Sequence, residues 1–199
     1  MTEQLSTPRK NRTKEHFQLA LINLIKEKGF HSVTVKDIVH EAKYNRSTFY
    51  THYQDKFELA EDLISNMLKG MMESVGEPYQ LKQQIHTDEL TERYFNIISY
   101  IYKNRNFFEL ITYQDTLPDL HTRFPQTILK IYQEKFQFET LNNLPVDMDY
   151  FKRYTSYGLY GLVARWINTD FETSQEEFIK EVIQLSRTHI ASVKFTGNV

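Results

Sequence analysis

The stretch from Thr34 to Lys56, TVKDIVHEAKYNRSTFYTHYQDK, leaves this chain few choices of local fold. Val35, Ile38, Val39 and Ala42 recur at the spacing of a helix with one buried stripe. Thr34-x-x-Asp37 forms a capping box ahead of them, and Val33 and Ile38 can close a hydrophobic staple across it. After a break at Lys43-Tyr44, Asn45 is placed to cap a second helix carrying Arg46, Ser47, Thr48, Tyr50, Thr51 and His52. Only Phe49 and Tyr53 give that helix an apolar pair. Two short helices joined by a tight turn make a helix-turn-helix. A second helix covered in hydroxyl, imidazole and guanidinium groups suits a DNA groove better than a core.

The net charge of −2 looks wrong for a DNA binder until it is divided along the chain. Residues 1–56 hold ten Lys/Arg and six Asp/Glu, a net of +4, and the rest hold fourteen and twenty, a net of −6. The basic character sits with the helix-turn-helix, and the acidic remainder disfavours indiscriminate binding. Arg9, Lys10 and Arg12 read either as a basic arm touching phosphates or as a solvated terminus. The absence of cysteine excludes disulfides, thiolate metal sites and cysteine nucleophiles. The seven histidines form no ligand-spaced pair, so no metal is expected. No Ser/His/Asp grouping or glycine-rich phosphate loop points to an enzyme or a bound cofactor. With no signal segment and no apolar run long enough to span a membrane, the expectation is a cytoplasmic protein without membrane partners.

Helical periodicity continues through the chain. Phe17, Ala20, Leu21, Leu24 and Ile25 mark a first helix stopped by Gly29, and Asp55 can cap a helix running to about Val75. Gly76-Glu77-Pro78 breaks that helix and suggests a boundary. Further helices are expected over about 88–104, around Phe107–Ile111, from Pro125 to about Phe138, and from Asp147 or Asp149 to about Asn168. The last opens at the capping box Ser174-x-x-Glu177 and carries Phe178, Val182, Leu185 and Ile190. The expected fold is all-α: about nine helices and no sheet. The expected domains are a helix-turn-helix over 1–56, a connecting helix over 57–76, and a helical effector and dimerisation domain over 77–199.

Lys28-Gly29-Phe30, Thr34-Val35-x-x-Ile38, Ala42, Ser47-Thr48-Phe49-Tyr50-x-His52-Tyr53 and Asp55-Lys56-x-x-Leu59 together resemble the tetracycline-repressor (TetR) family of bacterial transcription regulators. The stretch Tyr157 to Ile167, followed by Ser174-x-Glu176-Glu177, is similar to the ligand-domain tail of a subgroup common in Firmicutes. The resemblance implies that Arg46, Ser47, Thr48 and Thr51 face bases or nearby phosphates, with Lys36 reaching in from the preceding helix. It implies phosphate contacts at Thr34, Tyr50, His52 and Lys56. One departure stands out: Lys43 holds the turn position usually given to Gly, and Tyr44 the place of a small aliphatic. Lys43 then needs a left-handed backbone. Tyr44 reads as an extra DNA contact, or as a staple against Phe49, with the contact favoured.

The resemblance also implies a homodimer reading a palindromic double-stranded operator and released by a small-molecule effector, and the aromatic residues of the C-terminal part suit an apolar or aromatic one. Tyr157, Gly158, Gly161, Arg165, Val182 and Leu185 are the candidate dimer residues; the small ones serve equally as relief for bulky tyrosines. Tyr94, Tyr102, Phe107, Phe108, Tyr113, Tyr132 and Tyr154 are candidate effector-site residues, although aromatics at helical spacing are also ordinary core. The alternative is an activator or co-regulator whose C-terminal domain binds a protein partner.

Overall fold

A computed structural model describes residues 6–197, with side chains from residue 11 onward. Arg9 and Lys10 of the expected basic arm therefore lie outside the described side chains, and Arg12 is exposed. Among the described residues the chain forms α1 (Ser6–Lys28), α2 (Val35–Glu41), α3 (Arg46–Tyr50), α4 (Lys56–Ser74), α5 (Asn96–Lys103), α6 (Arg105–Phe108), α7 (Leu120–Lys135), α8 (Met148–Asn168) and α9 (Gln175–Ser186). The helical class holds. Gly29 stops α1 in a left-handed conformation at φ 77°, where a Cβ would collide with the Asp115 carboxylate. Asp147 caps α8 by accepting from the amides of Asp149 and Tyr150, and the Ser174/Glu177 capping box opens α9.

The expectation of no sheet is corrected. Strands β1 (Gln84–His86), β2 (Phe136–Thr140) and β3 (Ile190–Phe195) pair antiparallel in the order β1-β3-β2. Phe138 and Ile190, both expected on helices, lie in β2 and β3. The reason is local in β2, where Phe136-Gln137-Phe138-Glu139 alternates with period two and the outward-facing pair is polar. β1 alternates but spans only three residues, and β3 carries no such clean alternation. Their edges are joined by polar side chains: Ser192 donates to the Glu139 carboxylate at 2.6 Å, and Gln84 Nε2 reaches both Glu139 and Ser192 at 3.0 Å. Pro125 also differs from expectation. It lies in the sixth position of α7, past the first turn, where its missing N–H removes one helical hydrogen bond.

The chain divides into two compact units. The first comprises residues up to Met67 together with Glu109–Leu120, and the second comprises Leu68–Phe108 and His121 onward. This division differs from the expected bounds at 56 and 76: it falls inside α4, and a later segment joins the first unit. That segment is held by specific bonds within the first unit. Phe30 N–H donates to the Asp115 carbonyl at 3.1 Å, His31 N–H donates to the Asp115 carboxylate at 3.1 Å, and Lys26 pairs with Glu109. The core of this unit is Phe17, Leu21, Ile25, Phe30, Ile38, Phe49, Leu59 and Leu63, all essentially inaccessible. In the second unit Trp166 stacks on Phe178 with ring centroids 4.4 Å apart and donates its indole N–H to the Thr173 carbonyl at 2.7 Å. No described helix is long and apolar enough to cross a membrane.

Candidate nucleic-acid interface

The helix-turn-helix is built from side chains that satisfy the backbone at each helix end. Thr34 caps α2: its oxygen accepts from the Asp37 amide at 3.3 Å, while the Asp37 carboxylate accepts from the Thr34 amide at 2.9 Å. The Lys28 ammonium 2.9 Å away, with the Thr34 hydroxyl and amide, holds the Asp37 carboxyl well below the usual carboxylate range. At the other end Lys43 adopts φ 60°, as the sequence predicts. The Lys43 amide bonds the His40 carbonyl at 3.1 Å and the Tyr44 amide bonds the Val39 carbonyl at 2.9 Å. This is a Schellman motif, with lysine in the position glycine usually takes. Placing a Cβ there costs about 1 kcal/mol.

Tyr44 is where the structure parts from the favoured expectation. Its ring packs on Phe17 with centroids 5.1 Å apart, and its hydroxyl lies 3.0 Å from His16 Nδ1. The residue is half-buried against α1 and braces the turn. Its apolar partner is Phe17, not Phe49.

Asn45 organises α3. Its side-chain oxygen accepts from the Thr48 amide and from the hydroxyls of Ser47 and Thr48, each at 2.8 Å. Thr51 donates its hydroxyl proton to the Thr48 carbonyl at 2.7 Å. Ser47, Thr48 and Thr51 therefore present acceptor lone pairs outward, suited to the amino groups of cytosine or adenine. Phe49 is fully buried and anchors the helix. Tyr50 is 58% exposed, Arg46 and Thr51 are exposed, and His52 is half-buried with its ring against Phe17 and Tyr53.

Two classes of cation result. Lys36, Lys43 and Arg46 are exposed and make no ion pair or side-chain hydrogen bond with any described residue. Lys56, expected at a phosphate, is instead consumed internally. Its ammonium donates to the carbonyls of Phe30, His31 and Val33 at 2.9, 3.0 and 2.8 Å, so all three of its protons are spent. The start of α4 is likewise capped by Asp55, which accepts from the amides of Phe57 and Glu58. The sequence marks Lys43 only as a turn residue that needs a left-handed backbone. The signal that would have made it a site residue is its charge next to Arg46.

Behind the reading helix, Tyr53 donates to Asp62 at 2.7 Å, and Lys14 and Gln18 converge on the same carboxylate at 3.3 and 3.2 Å. Burial alone would raise the Asp62 pKa, but the bonds from Tyr53 and Lys14 outweigh it and hold the carboxyl below its usual range. Burial and that same carboxylate push the Tyr53 phenol far above its ordinary range, so it stays protonated.

The candidate effector residues separate in the second unit. Tyr94 and Tyr132 line an aromatic hollow that is partly open to solvent. Tyr132 and Tyr154 line an adjoining one. Phe107 and Phe108 are instead fully buried core, and Tyr102 stacks on Trp166 with centroids 5.7 Å apart. Tyr113 falls in the first unit. Of the candidate dimer residues, Tyr157, Gly158, Gly161, Arg165 and Leu185 are exposed, and a Cβ at either glycine would meet nothing within 4 Å. Val182 is buried within its own chain.

Comparison with known proteins agrees with this architecture. The family model for bacterial regulatory proteins of the tetR family matches residues 20–63, and the model for a transcriptional regulator C-terminal region matches residues 88–188. The HTH-type transcriptional regulator YxbF of Bacillus subtilis (strain 168) is 23% identical over 168 residues, covering 83% of this chain and 42% of YxbF. DhaS of Lactococcus lactis, named as a transcriptional activator of the dhaKLM operon, is 26% identical over 103 residues, covering 49% of this chain and 54% of its own. The chain thus spans about half the length of the curated relatives it matches. The solved structure of a TetR-family regulator from Syntrophomonas wolfei superposes with a TM-score of 0.67 at 15% identity, covering 89% of this chain and 94% of that one. With one family model covering the reading helices and another covering half of the chain, this protein belongs to the tetR family of bacterial transcriptional regulators.

Proposed function

We propose that this protein is a homodimeric transcriptional repressor that reads a palindromic operator through α3 and is released by a small apolar effector. The observation that carries the DNA reading is the set of exposed, unpaired cations, Lys36, Lys43 and Arg46, around a helix whose own backbone is already capped. Arg46 can fork onto a guanine, and Lys36 and Lys43 can neutralise flanking phosphates.

A reader this small needs two copies to specify a site, which demands a self-complementary face. The exposed side of α8, with Tyr154, Tyr157, Gly158 and Gly161, and Leu185 from α9, supplies one within a single unit. An effector acts by differential affinity for two states of the dimer, and the aromatic hollow is the place for it. A second reading keeps DNA binding but gives the C-terminal unit a protein partner, as part of an activator. It is favoured by the exposed apolar run Leu144, Val146, Met148 and Tyr150 and by the likeness to DhaS, which is named as an activator.

Selection of bound duplexes from a random pool tests the proposal. The expected product is an inverted repeat with half-site centres about one helical turn or somewhat more apart, roughly 34–36 Å or beyond. A pool that yields no enriched sequence would remove the operator reading.

A further inference from the structure

The two hollows of the second unit adjoin: Tyr132, Leu159 and Ser186 line both. No Lys, Arg, Asp or Glu lines either one. Most of the polar side chains there are already satisfied. Ser186 donates to the Val182 carbonyl and Thr155 to the Phe151 carbonyl, both at 2.8 Å. Tyr79 donates to the Tyr94 carbonyl at 3.3 Å, and the Tyr94 hydroxyl accepts from the Arg93 guanidinium.

The Tyr154 hydroxyl makes no hydrogen bond with a described residue either, but that side chain is 74% exposed, which leaves two polar atoms to account for. The Tyr132 hydroxyl makes no hydrogen bond with any described residue, although its ring stacks on Phe138 with centroids 5.3 Å apart. His189 Nε2 is buried without a partner. The proton on His189 can be placed from its neighbours. Thr188 spends its hydroxyl proton on the Leu185 carbonyl at 2.7 Å, so its oxygen can only accept from His189 Nδ1, 3.1 Å away. Burial pulls the imidazole pKa below its ordinary value, keeping it neutral at pH 7. Nδ1 therefore carries the proton, and Nε2 holds a bare lone pair that calls for a donor. Leaving such an atom unpaired in a buried site is costly.

We propose that the adjoining hollows take an uncharged apolar molecule bearing a hydroxyl, whose O–H donates to His189 Nε2 and whose oxygen accepts from the Tyr132 hydroxyl. The aromatic and aliphatic lining packs the body of the molecule. An anionic head is disfavoured because it meets no cation and faces the imidazole lone pair. This inference rests on the effector reading above and narrows its chemistry.

The probes are 4-propylphenol, 4-propylanisole and 4-propylbenzoate, which share one apolar body and differ in the head group. Binding to the full chain is followed by NMR of ¹³C-labelled Ile and Val methyls, including Ile131 and Val193 of the lining, and of the ¹⁵N-labelled histidine rings. The phenol is expected to shift those methyls and the His189 Nε2 resonance, and to bind about tenfold or more tighter than the anisole, with the benzoate weakest. His189→Phe and Tyr132→Phe are each expected to lower phenol affinity about tenfold and leave anisole affinity unchanged. Equal binding of phenol and anisole, or tightest binding of the benzoate, would overturn the proposal and leave the effector reading standing. No binding of any probe at millimolar concentration would overturn both. If His189→Phe altered dimer dissociation and not phenol affinity, Nε2 would belong to the subunit interface and the proposal would fall.

Discussion

In the helix-turn-helix, Thr34, Asp37, Asn45, Asp55 and Lys56 turn inward onto backbone amides and carbonyls, while Lys36, Lys43, Arg46 and Tyr50 stand outward. In the C-terminal unit the arrangement is reversed. Exposed α8 is rich in tyrosine and glycine, and the unsatisfied polar atoms, the Tyr132 hydroxyl and His189 Nε2, belong to residues that line the hollows. Under the proposed function, the contrast follows from what each region would meet. A charged polymer too large to enclose calls for polar groups held ready on a rigid surface. A small apolar molecule calls for a dry site with a few polar atoms to orient it. One sequence carries both solutions, and its charge is divided to match, +4 in residues 1–56 and −6 beyond.

The sharpest way to break this contrast is to exchange an inward cation for an outward one. Lys56→Met strips three carbonyls of their donor, and we expect a loss of about 2 kcal/mol in unfolding free energy by denaturant titration. The same variant is expected to leave the salt dependence of DNA binding unchanged, whereas Lys36→Ala lowers the slope by about 1 and leaves stability alone. A changed salt slope in Lys56→Met would return that residue to the phosphate role.

Lys43→Gly sharpens the same point from the turn. Relief of the left-handed backbone is expected to stabilise the protein by about 1 kcal/mol, read as a higher midpoint in chemical unfolding, while affinity for DNA falls through loss of a cation. A destabilised Lys43→Gly would mean that the Lys43 side chain itself supports the turn.

The smallest effect is expected in acid. The folded pKa values of Asp37 and Asp62 are depressed, so the stability they contribute is fully present above the ordinary carboxylate value, about 4, and is lost as pH falls through the folded values. Thermal unfolding between pH 7 and acid is expected to show this loss. The Asp37 share is below about 1 kcal/mol because its pair with Lys28 is partly solvated. Asp37→Asn removes that share; an unchanged acid profile in this variant would assign the loss elsewhere.

Much of this was legible in the residues. Capping boxes at Thr34 and Ser174, the cap at Asn45 and the left-handed turn at Lys43 are local features, and local chemistry fixes them. The sheet was not legible, because a three-residue β1 and a non-alternating β3 exist only through each other. Phe136-Gln137-Phe138-Glu139 did carry the strand period, but it abuts the helical pattern of α7 and was absorbed into it. The inward turn of Lys56 and Tyr44 was invisible for a related reason. Their partners, Phe30 to Val33 and His16 to Phe17, lie more than twenty residues away, and side-chain type does not reveal which way a long side chain folds. His189 was not legible because an isolated histidine acquires meaning only from its neighbours in space.

The central claim is that α3 reads bases through an unpaired Arg46 on a pre-capped helix. The most direct test is fluorescence anisotropy of the wild type and Arg46→Ala on the selected inverted repeat and on scrambled duplex, across a salt series. The account predicts roughly 5- to 150-fold weaker binding of Arg46→Ala to the selected site, relaxed preference at one base pair of each half-site, and little change on scrambled DNA beyond the loss of one charge. Equal affinity of the two proteins for the selected site at every salt concentration would contradict it.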